Sequence, residues 1–502
     1  MPETRLANRI LAVTTAAFVV CFAAWMLNGV LVTHLVEQGV FDWSSVQAGW
    51  LVGAPVLTGS VLRLPAGILT DKYGGKPVMI GVLVFTAFPL GLLSLVTGYW
   101  SFLLCSLGFG VAGAGFAVGI AYVAAWYPQK WRGTAMGVFG AGNAGAAITT
   151  LVAPTALGSL TDHGANPEGW RTLPLLYAAS MLGIAAVFAL TTRNRGAGEP
   201  RTLTECLQPL KDVRVWRFGL YYFLVFGCFV AFAQWLVPYF VNSYQLSLVT
   251  AGLLASAFSF PSGVVRAAGG WMSDVWGARK VMYWVLGLSA LVSLLLVFPR
   301  MVVETPGEGV LAEFAGTVVE VTEEVIIVDD RPYDLVPHQT AFEITWSDDR
   351  ALIWPTKQTW QEPVVQAGQP VVRRQLLASG RTQIYFQANI WIAVVLIVLI
   401  GVVWGIGKAA VYKYIPEYFP GQVGVVGGMI GVIGGLGGFV CPVIFAYLLE
   451  WTGFWTSCWI FMFFVSALCL WWMHHVVSRI LDREHGTTRD LEVPVTREKD
   501  RT

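Results

Sequence analysis

The sequence predicts an all-α polytopic membrane protein in which twelve transmembrane helices form two six-helix halves, with a small β-rich extracytoplasmic insert. The first observation behind this prediction is composition: the 502 residues are 56% hydrophobic and 13% charged, with a mean hydropathy of +0.62. An average soluble domain carries about 25% charged residues, so an ordinary soluble enzyme, a coiled coil and a disordered chain are excluded. The other observations are twelve apolar runs and an internal repeat.

Each apolar run is long enough to cross a bilayer, which takes about 20 residues. The runs lie at 10–34, 46–70, 78–98, 101–126, 134–158, 172–192, 216–240, 249–273, 281–299, 387–410, 422–449 and 453–478. They divide the chain into an N-terminal half at 1–192, a cytoplasmic linker at 193–215, three helices at 216–299, an insert at 300–386, three helices at 387–478 and a disordered cytoplasmic tail at 479–502.

The basic residues orient this array. Of the 32 lysine and arginine residues, 22 fall in the two termini, in the loops that join even-numbered spans to odd-numbered spans, or at the span ends next to those loops. The short loops on the opposite side hold only Arg171. Because cytoplasmic loops collect Lys and Arg, we expect a plasma membrane protein with both termini in the cytoplasm and residues 300–386 outside.

The insert itself has the pattern of a small β domain. Its residues 316–328 form an alternating run, and a turn follows at 329–332. Further short strands are predicted around 341–354 and 370–386.

Residues 63–79 and 266–282 form an internal repeat with a constant offset of 203 residues, at the ends of spans two and eight. The matched pairs are Arg63 and Arg266, Gly67 and Gly270, Asp71 and Asp274, Gly74 and Gly277, and Lys76 and Arg279. Parallel repeats of this kind place a substrate near the membrane midplane, between the two halves.

Arg63 and Arg266 lie inside predicted spans, where topology does not explain them. Arg63 precedes Asp71 by eight residues, which places it about 12 Å into a hydrocarbon core about 30 Å thick. A charge there costs about 2.5–3.5 kcal/mol on insertion scales, and no Asp or Glu lies at a comparable depth in any predicted span. An anionic substrate is the simplest neutralising group, because a guanidinium fork suits a planar oxyanion. The alternative is that each arginine caps backbone carbonyls or pairs with Asp71 or Asp274.

Two glycine tracts lie in spans five and eleven. Residues 133–145 hold five glycines, and residues 424–438 hold eight. These numbers exceed what close helix packing needs, so we expect them to leave room and exposed backbone beside the arginines, with Asn143 as a side-chain donor.

The loop motif G-x-x-x-D-x-x-G-x-[RK] at 67–76 and 270–279 resembles the cytoplasmic loop motif of the major facilitator superfamily. Segments 140–145 and 434–438 resemble the two nitrate signatures of its nitrate/nitrite porter (NarK-type) family. The signature glycines are Gly140, Gly142, Gly145, Gly434, Gly435, Gly437 and Gly438. The resemblance covers the chain outside 300–386 and the tail. It implies the major facilitator fold and secondary active transport of nitrate, nitrite or both by alternating access, as nitrate/proton symport or nitrate/nitrite antiport.

The same resemblance implies roles for single residues. Arg63 and Arg266 would clamp the anion, with Phe116 and Phe226 as aromatic gates above and below it. Hydrogen bonds would come from the remaining two predicted site residues, Tyr222 and Asn143. The repeated loop motif would form a cytoplasmic gate.

Lys408, within the Gly405–Ala410 stretch of span ten, is a candidate for proton coupling. A lysine in a low-dielectric environment can lose its proton, whereas an arginine keeps it. The alternative is a lysine that snorkels to the helix end.

The sequence has no nucleophile–base pair, metal cluster or phosphate loop, so no enzyme activity and no cofactor are expected. The expected partners are nitrate or nitrite, protons and the lipid bilayer; a net charge of +1 gives no sign of nucleic acid, and the partner of the insert is unknown. Two alternatives stay open: a transporter of a small organic carboxylate, and a membrane sensor that uses the external β domain.

Overall fold

The computed structural model describes residues 2–195, 203–297, 300–338, 356–387, 390–419 and 423–491. It divides into two compact units, one made of Met1–Ser293 with Ile397–Thr502 and the other of Leu294–Leu396. The first unit is helical, and the second contains all seven strands of the described residues.

The first half of the helical unit follows the order of the apolar runs. Its helices are α1 (Pro2–Trp25), α2 (Leu27–Glu37), α3 (Ser45–Val61), α4 (Arg63–Tyr73), α5 (Gly75–Leu93), α6 (Tyr99–Phe109), α7 (Gly115–Trp126), α8 (Gln129–Gly140), α9 (Gly145–Leu160) and α10 (Thr172–Thr191). The pairs α1–α2, α3–α4, α6–α7 and α8–α9 each form one span, because only a short irregular segment separates the two helices.

The second half repeats this arrangement. Its helices are α11 (Leu203–Leu207), α12 (Val213–Tyr222), α13 (Phe229–Tyr244), α14 (Leu248–Val264), α15 (Arg266–Trp276), α16 (Ala278–Leu295), α17 (Ile390–Tyr418), α18 (Val423–Thr452) and α19 (Ser457–Leu491). Among the described residues, eleven stretches are long and apolar enough to cross a membrane, and α14–α15, bent by 46°, would be the twelfth. The predicted all-α fold of twelve spans is therefore confirmed.

Both repeat arginines lie at helix breaks. The second span breaks at Leu62, so Arg63 is the first residue of α4, and the eighth breaks at Val265, so Arg266 is the first residue of α15. Each second helix ends at a glycine of positive φ, +87° at Gly74 and +85° at Gly277. Residues other than glycine rarely adopt this backbone conformation, which explains why both repeats carry glycine there.

Three other spans depart from α-helical geometry in their middle. Residues Gly110–Ala114 and Ala141–Ala144 form 3₁₀ turns, and Phe223–Cys228 form a π-helical segment. Such segments redirect side chains and free backbone groups, and they are frequent at functional sites. All three carry a group of the candidate site described below.

Glycines bring spans of opposite halves into backbone contact. A Cβ on Gly252 of α14 would lie 2.1 Å from the carbonyl oxygen of Thr150 on α9. A Cβ on Gly29 of α2 would lie 2.7 Å from the Cα of Gln234 on α13. Small residues allow this close approach where lipid provides no hydrophobic driving force.

The β unit contains two antiparallel sheets. Its strands are β1 (Arg300–Leu311), β2 (Gly316–Val321), β3 (Val325–Val328), β4 (Arg331–Asp334), β5 (Thr356–Pro363), β6 (Pro370–Val371) and β7 (Leu376–Gln387). The strand orders are β1-β7-β5 and β4-β3-β2-β6. Val318, Ile326 and Leu377 are among the apolar side chains of its core. The predicted turn joins β3 to β4 as a two-residue hairpin, with φ +54° at Asp329.

Several predicted boundaries differ from the structure. The run 316–328 is two strands, because Thr322 makes a turn with Val325 between them. The segment 341–354 lies outside the described residues. The prediction of a disordered tail from residue 479 is wrong up to Leu491, because α19 continues that far. Residues 492–502 lie outside the described part.

Changing Gly252 to Ala should weaken the contact between the halves. The added Cβ meets a carbonyl oxygen that cannot move without its helix, and overpacking of this kind costs about 1–3 kcal/mol. We expect a lower midpoint of thermal unfolding in detergent. Gly183→Ala on α10 is the matched control, because no atom lies within 4 Å of its added Cβ. Equal midpoints for the two variants would contradict the packing described here.

Candidate functional site

Arg63 lies between the two halves and is almost fully buried, with 3% of its surface exposed. Its Nε donates to the carbonyl of Gly113 in the first half (3.3 Å), and its Nη1 donates to the carbonyl of Gly431 in the second (2.9 Å). The carbonyl-capping alternative therefore describes part of what this guanidinium does.

Three aromatic rings surround the Arg63 guanidinium. The distances from Cζ to the ring centroids are 5.3 Å for Trp25, 5.4 Å for Phe116 and 5.1 Å for Phe226. Such cation–π contacts stabilise a desolvated cation without neutralising it. The two predicted gate residues thus both lie on Arg63, and Trp25 is a third ring that no sequence signal selects.

Arg266 has a different environment at the matching break. Its Cζ lies 5.9 Å from the centroid of the Tyr412 ring, and its Nη1 lies 3.5 Å from where a Cβ on Gly140 would be. This Nη1 is buried and has no hydrogen-bond partner among the described residues. Arg266 therefore offers a free donor.

A chain of aromatic contacts joins the two arginines. The Phe226 ring, which packs on Arg63, stacks on Tyr222 with centroids 4.9 Å apart and planes at 9°. Tyr222 then makes an edge contact of 5.0 Å with Tyr412, the ring nearest to Arg266. The rings therefore connect the two repeat arginines, and a shared substrate site for them stays a prediction. Tyr412 was missed from the sequence, although it lies one helical turn after Lys408.

Further polar atoms at these positions have no partner. The hydroxyl of Tyr222 and both amide atoms of Asn143 are buried and unpaired in the described structure. Buried polar groups are nearly always hydrogen-bonded, and exceptions need an explanation. A bound polar ligand would supply one.

The charge around the site has one sign. Among the buried side chains that the structure describes, Arg63 and Lys408 are cationic, and no carboxylate is among them. Asp274 lies outside this group, because it is exposed and pairs with Lys413 at 2.5 Å. The arrangement favours a bound anion.

The signature glycines fall into two groups. A Cβ added to Gly434 would lie 2.3 Å from the Tyr222 ring, and one added to Gly435 would lie 3.1 Å from Arg63 Nη1. Gly140 borders Arg266. These three leave space for groups of the site. The remaining glycines pack against neighbouring helices: Gly142 on Phe18, Gly145 on Val19, Gly437 on Phe223 and Gly438 on Val230.

Lys408 is fully buried, so it does not snorkel to the helix end. Its Nζ donates to the hydroxyl of Ser262 at 3.0 Å and lies 3.0 Å from the centroid of the Phe229 ring.

The stretches Gly113-Ala-Gly-Phe116 and Gly405-Ile-Gly-Lys408 align at an offset of 292 residues. Lys408 is thus the second-half counterpart of Phe116, which packs on Arg63. This places the lysine at the equivalent position beside the site.

Residues of the loop motifs form hydrogen bonds or ion pairs with other spans of their own half. Lys76 donates to the carbonyls of Ala189 (2.6 Å) and Thr192 (2.8 Å) at the end of α10. In the second half, Asp274 pairs with Lys413 of α17. The other motif residues are placed as follows: Asp71 in the last turn of α4, Gly67 and Gly270 with no atom within 4 Å of an added Cβ, and Arg279 exposed on α16. A role for them as a gate stays a prediction.

An array of repeated helical halves around a site at their interface is the architecture of secondary transporters. The Major Facilitator Superfamily model matches residues 13–317. Among curated proteins, the "Probable nitrate/nitrite antiporter NarK1" of Thermus thermophilus is 37% identical over 95% of this chain and 93% of its own length. The "Nitrite extrusion protein" of Bacillus subtilis is 28% identical over 57% of this chain and 71% of its own length. This chain therefore belongs to the major facilitator superfamily and, within it, to the nitrate/nitrite porter family.

Solved structures agree on the fold. A bacterial homologue of the human lysosomal transporter Spinster, in an inward-facing and occupied conformation, has a TM-score of 0.63 at 12% identity and covers 94% of this chain and 97% of its own. The nucleoside transporter NupG, solved as a point mutant, has a TM-score of 0.59 at 13% identity and covers 94% of this chain and 99% of its own.

Proposed function

We propose that this protein is a secondary active transporter that moves nitrate, nitrite or both across the plasma membrane by alternating access. The observation that carries the proposal is the pair of repeat arginines, joined through Phe226, Tyr222 and Tyr412, with unpaired donors beside them. The names of the relatives, a nitrate/nitrite antiporter and a nitrite extrusion protein, agree with this substrate.

A small planar oxyanion suits these groups chemically. It neutralises part of the positive charge, and its oxygens accept hydrogen bonds from guanidinium, hydroxyl and amide donors at once. Arg266 Nη1, the Tyr222 hydroxyl and the Asn143 amide are the donors that lack partners in the described structure. The proposed activity is transport, with no enzymatic step and no cofactor.

The Arg63–Gly431 hydrogen bond suggests how the anion is linked to movement of the halves. This bond crosses from one half to the other, so it must break when the halves separate at this level. An anion that takes over the donor from the Gly431 carbonyl would compensate for the lost bond. Binding between the halves would thereby lower the cost of rocking from one orientation to the other.

The proposed topology has both termini in the cytoplasm and residues 300–386 outside, as the distribution of basic residues favours. Coupling is assigned to Lys408, whose buried ammonium donates to the Ser262 hydroxyl. A lysine excluded from water can release its proton. Nitrate/proton symport then uses this proton, whereas nitrate/nitrite antiport leaves the lysine charged.

Arg63→Lys and Arg266→Lys should each lower the kcat/KM for nitrate uptake about 10- to 100-fold. Lysine keeps the charge but loses the planar set of donors, and a hydrogen bond to a charged group is worth about 1.5–3 kcal/mol. The measurement is uptake of labelled nitrate into proteoliposomes.

Arg9→Lys is the matched control, because Arg9 is exposed on α1, and its kinetics should equal those of the unmodified protein. Unmodified kinetics in both site variants would contradict the proposed anion clamp.

Lys408→Gln should abolish proton movement coupled to nitrate uptake while nitrate/nitrite exchange continues. The glutamine amide can occupy the position of the ammonium beside Ser262, but it cannot take up and release a proton. The measurement is the internal pH of vesicles during nitrate uptake, with Lys280→Gln, an exposed lysine of α16, as the control. Proton movement that survives in Lys408→Gln would remove Lys408 from the coupling step.

A further inference from the structure

Ser60 has a buried hydroxyl next to the candidate site. It lies in the last turn of α3, three residues before Arg63, and the helix break at Leu62 separates the two residues. Ser60 has no exposed surface, and its Oγ has no hydrogen-bond partner in the described structure.

Several hydroxyls of the helical unit are hydrogen-bonded within their own helix, unlike that of Ser60. A serine or threonine inside a helix commonly donates to the carbonyl three or four residues earlier. Thr70, Ser259 and Ser289 do so, to the carbonyls of the residues four positions before them, at 2.6 to 2.9 Å. Ser60 makes no such bond, so its donor is available to another group.

Gly435 shows where the Ser60 hydroxyl lies relative to the Arg63 guanidinium. A Cβ on Gly435 would lie 2.5 Å from the Ser60 Oγ and 3.1 Å from the Arg63 Nη1. The hydroxyl and the guanidinium therefore both pack against this glycine and lie next to each other. Two nitrogens of Arg63 already donate to the carbonyls of Gly113 and Gly431, so a second donor on this side would complete the contacts of an anion.

The second half uses its serine differently. The offset of 203 residues aligns Gly59-Ser60 with Ser262-Gly263. The Ser262 hydroxyl accepts a hydrogen bond from Lys408, whereas the Ser60 hydroxyl has no partner among the described residues.

We propose that the Ser60 hydroxyl binds the transported oxyanion, donating a hydrogen bond beside Arg63. This inference rests on the proposed function, because it concerns the same anion. It assigns to the first half a binding residue that is not among the site residues predicted from the sequence.

The test compares Ser60→Ala with Ser293→Ala in proteoliposomes that take up labelled nitrate. Ser293 on α16 also has a buried hydroxyl without a partner in the described structure, but its variant should behave as the unmodified protein. Ser60→Ala should raise the KM for nitrate about tenfold, the usual effect of losing one hydrogen bond to a charged ligand, with Vmax changed less than about twofold. A KM equal to that of the control variant would overturn the inference.

A second variant tests the geometry directly. In the Ser60→Ala background the Oγ at 2.5 Å from the added Cβ is gone. The remaining contacts of 3.1 Å, with the Cβ of residue 60 and with Arg63 Nη1, need only a small shift, so Gly435→Ser can place a hydroxyl beside Arg63 Nη1. The double variant should recover at least half of the lost affinity, whereas Gly435→Ser alone should impair uptake. A double variant no better than Ser60→Ala would count against the inference. Failure of the unmodified protein to take up nitrate would instead reject the proposed function itself.

Discussion

The structure depends on positive charge at the interface of its two halves that no carboxylate among the described buried side chains neutralises. Arg63 is held there by two carbonyls and three aromatic rings, and none of these groups carries a negative charge. Ion–dipole and cation–π contacts lower the cost of burying a cation, but they leave its field intact. Under the proposed function, a mobile anion supplies the negative charge that a fixed carboxylate would otherwise have to provide. A fixed carboxylate would compete with that anion.

The two halves repeat one plan with different chemistry. Arg63 has two of its nitrogens committed to carbonyls, whereas Arg266 retains a buried Nη1 without a partner among the described residues. Phe116 packs on Arg63, and its counterpart in the second half is Lys408, which binds Ser262. Under the proposed function, the first half therefore shapes the site, and the second half supplies a free donor and a group that can exchange a proton. An asymmetric site of this kind can distinguish a loaded state from an empty one, which is what coupling requires.

Much of this site could be predicted from the sequence because repeats carry positional information. The offset of 203 residues selected both arginines, and the glycine tracts selected the helices beside them. Trp25 and Tyr412 could not be selected, since a single aromatic residue in an apolar helix has no periodic or spacing signal. The π-helical segment at Phe223–Cys228 packs against α18, where Gly227 meets Gly434, and no local sequence pattern points to it. The strands β1 and β5 were missed for a related reason: both pair with β7, which is distant in sequence.

The most direct test of the central claim is uptake of labelled nitrate by the purified, reconstituted protein. Two sets of vesicles would be compared, one with an imposed pH gradient and one loaded with nitrite. We expect saturable nitrate uptake in at least one set, with competition by external nitrite and none by an equal concentration of chloride, which lacks oxygens to accept the site's oriented hydrogen bonds. Absence of saturable nitrate uptake in both sets, from protein that is folded by its thermal unfolding profile, would contradict a nitrate site between the halves.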